Sequence, residues 1–146
     1  MSHRILVSLS LCLAAFMAPA AASDKTVAEE QEKIVHGYVA AFNAHDTEAM
    51  LKMVTDDVQW LNIDGEKITR ETNSKEELRS GMVGYFKSCK SCKSRLAHVF
   101  STGARVSALE IASSETSKGV REQQSVSVYE FSGSLIKRVY YFPVEK

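Results

Sequence analysis

From Thr26 to Ala44 the apolar residues recur at helical spacing. Val27, Ile34, Tyr38, Ala41 and Phe42 form one stripe, while Glu29, Glu30, Glu32 and Lys33 take the wet side. Asn43-Ala44-His45 ends this helix, and Asp46 is a suitable N-cap for a second one with Glu48 in its first turn. Met50, Met53 and Val54 give the second helix its buried side, and Thr55-Asp56-Asp57 stops it. Val58 to Ile63 then alternates: Val58, Trp60 and Asn62 face one way, Gln59, Leu61 and Ile63 the other. Both faces have apolar character, which predicts a strand covered on both sides. Asp64-Gly65 is a turn, and Glu66 to Thr72 is its partner strand. Ser74-x-x-Glu77 is a capping box opening a third helix, whose stripe is Leu78, Met82, Tyr85, Phe86 and Cys89.

After Ser94 the period changes to two. Arg95 to Ser101 places Leu96, His98 and Phe100 on one face and Ala97 and Val99 on the other. Thr102-Gly103 turns the chain into Arg105 to Ser114, with Val106, Ala108 and Ile111 as its apolar members. Val120 to Phe131 follows a polar loop, with Val126 and Val128 as its apolar face. Ser132-Gly133-Ser134 is a hairpin turn into Leu135 to Phe142. The order ααββα followed by four strands predicts an α+β fold, with helices on one side of a curved, mostly antiparallel sheet.

The first residues change the domain count. Arg4, the apolar run Ile5 to Met17 and the small residues Ala18-Pro19-Ala20-Ala21-Ala22-Ser23 have the form of a secretory signal peptide cleaved within residues 18–24. The run is short for a membrane span of about 20 residues. Residues 1–23 are therefore expected to be a leader and 24–146 one mature domain, secreted or periplasmic and free of the membrane after cleavage. Removing Arg4 from the 18 basic side chains leaves 17 against 18 acidic ones. This balance argues against a nucleic-acid partner, which would favour a basic patch.

The segment Tyr38-Val-Ala-Ala-Phe-Asn-Ala-His-Asp46, followed by Asp56-Asp57-Val58-x-Trp60, resembles the nuclear transport factor 2-like superfamily, nearest its SnoaL-like and ketosteroid isomerase-like branch. The resemblance covers the whole mature chain. It implies a cone-shaped, curved, mostly antiparallel sheet packed on three helices, the cystatin-like α+β roll, around an apolar pocket. Homodimers through the sheet face are frequent in that superfamily, so a homodimer is expected. The resemblance does not fix a reaction, because one fold hosts many functions. The isomerase template combines a carboxylate base with a tyrosine and a protonated aspartic acid as donors. Tyr38 stands where the tyrosine belongs. Asn62 stands where the base belongs and cannot accept a proton near neutral pH. The residue nearest the second donor is Ser127, no carboxylic acid.

A pocket of this kind predicts a lining of Tyr38, Phe42, Trp60, Asn62, Met82, Phe86, His98, Phe100, Val126, Val128 and Phe142. Candidate catalytic groups are Tyr38, Asn62, Asp64 and His98, each with a plainer reading. Tyr38 and His98 also fit a core position, and Asp64 fits a turn before Gly65. Met82, Phe86, Phe100 and Phe142 also fit an ordinary core. His36 and His45 are expected on the surface. Cys89-Lys90-Ser91-Cys92 closes a helix, the wrong pole for a stabilised thiolate, which predicts a local structural disulfide in an oxidising compartment. Cys89, Cys92 and His98 give at most three metal ligands, and no phosphate loop, Ser-His-Asp order or carboxylate cluster is visible. No cofactor or metal is therefore expected. The leading expectation is an exported domain binding a small apolar or aromatic molecule. The alternatives are a lyase- or isomerase-type enzyme, with His98 or Asp64 as base and Tyr38 and Asn62 as donors, or a non-catalytic dimeric interaction module.

Overall fold

A computed structural model of the chain describes residues 20–143. Residues 1–19, most of the predicted leader and Cys12 with it, lie outside them. Three helices, α1 (Ala20–Asn43), α2 (Thr47–Leu51) and α3 (Lys75–Ser88), cover one face of a six-stranded sheet. The strands are β1 (Val54–Asp64), β2 (Lys67–Thr72), β3 (Lys93–Thr102), β4 (Arg105–Thr116), β5 (Gly119–Ser132) and β6 (Leu135–Pro143). Their order is β2-β1-β6-β5-β4-β3. All neighbours are antiparallel except β1 and β6, which run parallel with Trp60 opposite Val139. A parallel pair needs a long crossover, and everything from β2 to β5 supplies it. The predicted α+β class and element order hold.

Local chemistry explains the elements. Asp46 caps α2 by accepting the Ala49 N–H at 2.9 Å. Ser74 Oγ accepts the Glu77 N–H at 3.1 Å. Glu77 reaches back to the N–H of Asn73 at 2.7 Å, one residue before the cap, so the capping box closes one position wider than its usual form. Gly65, Gly103 and Gly133 adopt positive φ at three of the four hairpin turns. Gly81 and Gly84 in α3 have no such role, and a Cβ built on either meets nothing within 4 Å. Gly84→Ala is therefore expected to raise stability by about 0.5–1 kcal/mol. A urea midpoint that moves up at constant m checks this.

Several boundaries differ from the sequence reading. The second helix ends at Leu51, and Thr55-Asp56-Asp57 lies inside β1 rather than stopping the helix. The buried side of α1 is Gln31, Val35, Tyr38, Val39 and Ala41, while Val27 faces solvent. On β3 a bulge between Ala97 and Phe100 places His98 in the left-handed region (φ 51°) and reverses the alternation beyond it. Leu96 and Val99 consequently both pack on the core, and Phe100 is turned out.

The largest reversal is on β5. Ser125, Ser127, Tyr129 and Phe131 face the helices, and Val126 and Val128 face away. The outer face is itself apolar. Cross-strand rows run Ala97–Leu109–Val126–Phe142 and Phe100–Ser107–Val128–Tyr140. Alternation reports two faces but does not say which one the helices cover.

The core lies where α1 and α2 meet β1, β4, β5 and β6, with Val35, Met50, Val54, Val106, Tyr129, Ile136 and Val139 among its buried members. The disulfide Cys89–Cys92 joins the C-cap of α3 to the start of β3. Beside it His45, expected on the surface, is half-buried. It donates through Nε2 to the Cys92 carbonyl at 3.3 Å and stacks on Phe86 at 4.4 Å between ring centroids. Asn43 spans both backbone groups of Ser94, donating to its carbonyl at 2.7 Å and accepting its N–H at 2.7 Å.

Candidate functional site

Between α1, α3 and the inner face of the sheet lies a cavity of about 460 Å³. Helical spacing brings Tyr38, Val39 and Phe42 of α1 to one wall, and Leu78, Gly81, Met82 and Tyr85 of α3 to the facing wall. The sheet supplies the floor. Trp60 and Asn62 enter from β1, Glu71 and Thr72 from β2, Ser94 from β3, Glu110 and Ala112 from β4, Tyr129 from β5 and Tyr141 from β6. Trp60 and Asn62 share a face because they are two apart on a strand. Glu110 follows Val106 and Ala108 on the inward side of β4 for the same reason.

Glu110 is the centre of the polar floor. Ser94 Oγ donates to its Oε1 at 2.5 Å, and Ser127 Oγ and Tyr129 OH donate to its Oε2 at 2.7 and 3.2 Å. Tyr38 packs edge-on against Tyr129, with centroids 6.2 Å apart. Its hydroxyl is buried and has no hydrogen-bond partner among the described residues, and the same is true of Asn62 Oδ1 and Thr72 Oγ1. All three side chains line the cavity. Buried polar atoms are nearly always paired, and the cavity surface carries three that are not, one from α1 and two from the sheet.

Tyr38, Tyr129 and Tyr85 are held as neutral phenols. Burial, and then the Glu110 charge, push Tyr38 far above its ordinary value. Tyr129 is raised by burial, Glu110 and Tyr38 in that order, and Tyr85 by burial first and then by Tyr141 and Glu110. None of them is a proton acceptor at ordinary pH. The folded state keeps these protons while the unfolded chain releases them above about pH 10. Stability is therefore present below that pH and falls as pH rises through it. Denaturant midpoints at pH 9 and 11, alongside tyrosinate absorbance, test this.

Tyr38, Phe42, Trp60, Asn62 and Met82, expected in the lining, are brought together there. The other expected positions are corrected. Phe86 is buried beneath the cavity wall against Phe42 and His45. His98 stands exposed on the β3 bulge, and Phe100, Val126, Val128 and Phe142 lie on the outer face of the sheet. Asp64 is the exposed last residue of β1, just before the Gly65 turn. Neither base proposed from sequence reaches the cavity, so that catalytic arrangement is not assembled. The reading missed Glu110, Ser94, Tyr129 and Tyr141. The signal for Glu110 was available, since it has the parity of Val106 and Ala108 within β4. Ser127, read as no carboxylic acid, hydrogen-bonds one supplied by the neighbouring strand. Among the described residues no group of three His, Cys, Asp or Glu side chains could hold a metal ion, and no helix is long and apolar enough to cross a membrane.

The pattern of the SnoaL-like domain matches residues 35–139. No curated protein matches the chain. Among solved structures, an uncharacterised cystatin-fold protein from Novosphingobium aromaticivorans superposes with TM-score 0.66 at 23% identity, covering 76% of this chain and 96% of that one. A nuclear transport factor 2-like protein of unknown function from Cytophaga hutchinsonii gives 0.60 at 13% identity, over 78% and 89%. A protein from Jannaschia sp. CCS1 described as a SnoaL-like polyketide cyclase gives 0.65 at 8% identity, over 80% and 86%. At these identities the structural likeness establishes the fold.

Proposed function

The chain belongs to the SnoaL-like domain family, and we propose that it uses its cavity to bind a small, largely aromatic molecule. The observation that carries this is three unpaired polar atoms, Tyr38 OH, Asn62 Oδ1 and Thr72 Oγ1, at the surface of a cavity whose apolar lining includes Phe42, Trp60 and Met82. Apolar walls with a few convergent polar groups are the usual build of a ligand site. A fold that leaves three such atoms unpaired carries a cost of about 1–3 kcal/mol for each, and a ligand that pairs them removes it.

Native mass spectrometry of protein purified from the periplasm, followed by thermal shifts against a library of neutral aromatic compounds, tests the reading. A co-purified molecule, or library shifts lost in Tyr38→Phe and Asn62→Ala, is expected. No bound molecule, together with shifts indifferent to both substitutions, would sink it.

Export through the leader of residues 1–23, and a homodimer, belong to the same reading. The support for a dimer is the outer sheet face, where Phe100, Val126 and Phe142 remain 57%, 47% and 37% exposed in two continuous rows. Isolated apolar residues on a surface are ordinary, but a contiguous apolar patch marks a contact surface. Sedimentation of wild type against Val126→Lys distinguishes a dimer through this face from a monomer.

A further inference from the structure

We propose that the polar end of the cavity is built for an organic ammonium group, so that the ligand is a small aromatic amine whose charged nitrogen meets Glu110. The proposal rests on the ligand-binding reading above and names the ligand's class.

The first support is the charge inventory. Two carboxylates, Glu110 and Glu71, line the cavity, and no lysine, arginine or histidine does. Glu71 is exposed toward the rim, whereas Glu110 is half-buried on the floor. Among the described residues Glu110 has no ion-pair partner. Its three hydrogen bonds come from neutral hydroxyls, those of Ser94, Ser127 and Tyr129. Hydroxyls can orient a carboxylate but cannot neutralise it.

The second support is acceptor capacity. An ionised carboxylate offers about four lone-pair sites. Ser94 takes one on Oε1, and Ser127 and Tyr129 take two on Oε2, which leaves one position on Oε1. Asn62 Oδ1 is a second unused acceptor on the wall. The unpaired hydroxyls of Tyr38 and Thr72 can accept as well as donate. An ammonium carries two or three N–H donors and matches a site rich in acceptors.

The third support is the wall itself. Trp60, Phe42, Tyr85 and Tyr141 surround the cavity. Aromatic faces attract cations through the ring quadrupole, most strongly where water is excluded.

Occupancy decides between ligand classes. Any ligand that fills the cavity displaces the water around Glu110. A neutral ligand would leave that charge desolvated and uncompensated, and an anion would add repulsion. Only a cation offsets the desolvation it causes. The like-charged floor thereby rejects acids of the same shape.

The test uses three isosteric probes on the intact mature protein: tryptamine, tryptophol and indole-3-acetate, titrated by calorimetry at neutral pH. Tryptamine is expected to bind at least about tenfold tighter than tryptophol, with indole-3-acetate weaker than both. Glu110→Gln should bring tryptamine to within about threefold of tryptophol. Should that variant not fold, the wild-type ranking alone decides. Tryptophol or indole-3-acetate equal to or tighter than tryptamine overturns the ammonium assignment while leaving the pocket reading intact. If none of the three binds but neutral library compounds do, the ammonium assignment falls alone. If the library is silent as well, both fall.

Discussion

Tyr38→Phe is expected to make the protein more stable and to weaken its ligand at the same time. A buried tyrosine normally loses stability when its hydroxyl is removed, because a partner is orphaned. Here the hydroxyl has no partner among the described residues, and its side chain is 2% exposed. Deleting it removes a desolvated, unpaired group and leaves the ring's packing against Tyr129 unchanged. The expected gain is about 1 kcal/mol, at the low end of the cost of an unsatisfied buried polar group. In the complex the same hydroxyl gains a partner, so the variant should bind roughly tenfold more weakly. Urea denaturation and calorimetry read the two quantities separately. A variant less stable than wild type would mean that the hydroxyl already has a partner in the free protein, and its part in the site would fall.

Asn43→Ala is expected to cost about 2–4 kcal/mol, large for a polar residue near the surface. The Asn43 amide holds both backbone groups of buried Ser94, one as donor and one as acceptor. Alanine strands both. Asn43→Asp tests the geometry further. A carboxylate can still accept the Ser94 N–H, but it faces the Ser94 carbonyl with a second acceptor, so it should rescue little. The consequence reaches the cavity, since Ser94 Oγ is one of the donors orienting Glu110. Ligand affinity should therefore fall even in Asn43 variants that remain folded. Guanidinium unfolding of the two variants suffices, and an Asn43→Asp protein as stable as wild type would refute the two-bond account.

Much of this fold can be read from local signals. Asp46, Ser74, Gly65 and Gly133 act through short-range chemistry, and each did in the structure what its residue type predicts. Tyr38, Trp60 and Asn62 were legible as site residues because helical and strand spacing put them on the covered side. The rest depended on information that spacing does not carry. Val126 and Val128 attract attention as the apolar alternates of β5, yet the helices cover Ser125, Ser127 and Tyr129 instead. A strand in a sheet with two apolar faces gives the same period for either assignment, and only tertiary pairing with β4 and β6 decides. His98 and Phe100 failed for a different reason. One bulge residue shifts every later side chain on the strand to the opposite face, and no motif at Ala97–Phe100 announces it. Glu110 has the inward parity of Val106 and Ala108, but its type masks that signal: a lone acid in a strand reads as solvated until the strands on either side supply hydroxyls to hold it.

The same bulge bears on edge-to-edge pairing of the sheet. The sheet ends in two edge strands, β2 and β3, and an edge with free backbone groups is a template on which another chain can add a strand. On β3 the left-handed His98 interrupts the ladder midway, so a straight incoming strand cannot stay in register along it. On β2 the edge is only six residues long and carries Lys67, Arg70 and Glu71. Straightening β3 by deleting His98 would lengthen its regular edge beside the exposed Phe100, and fibre formation would become the hazard.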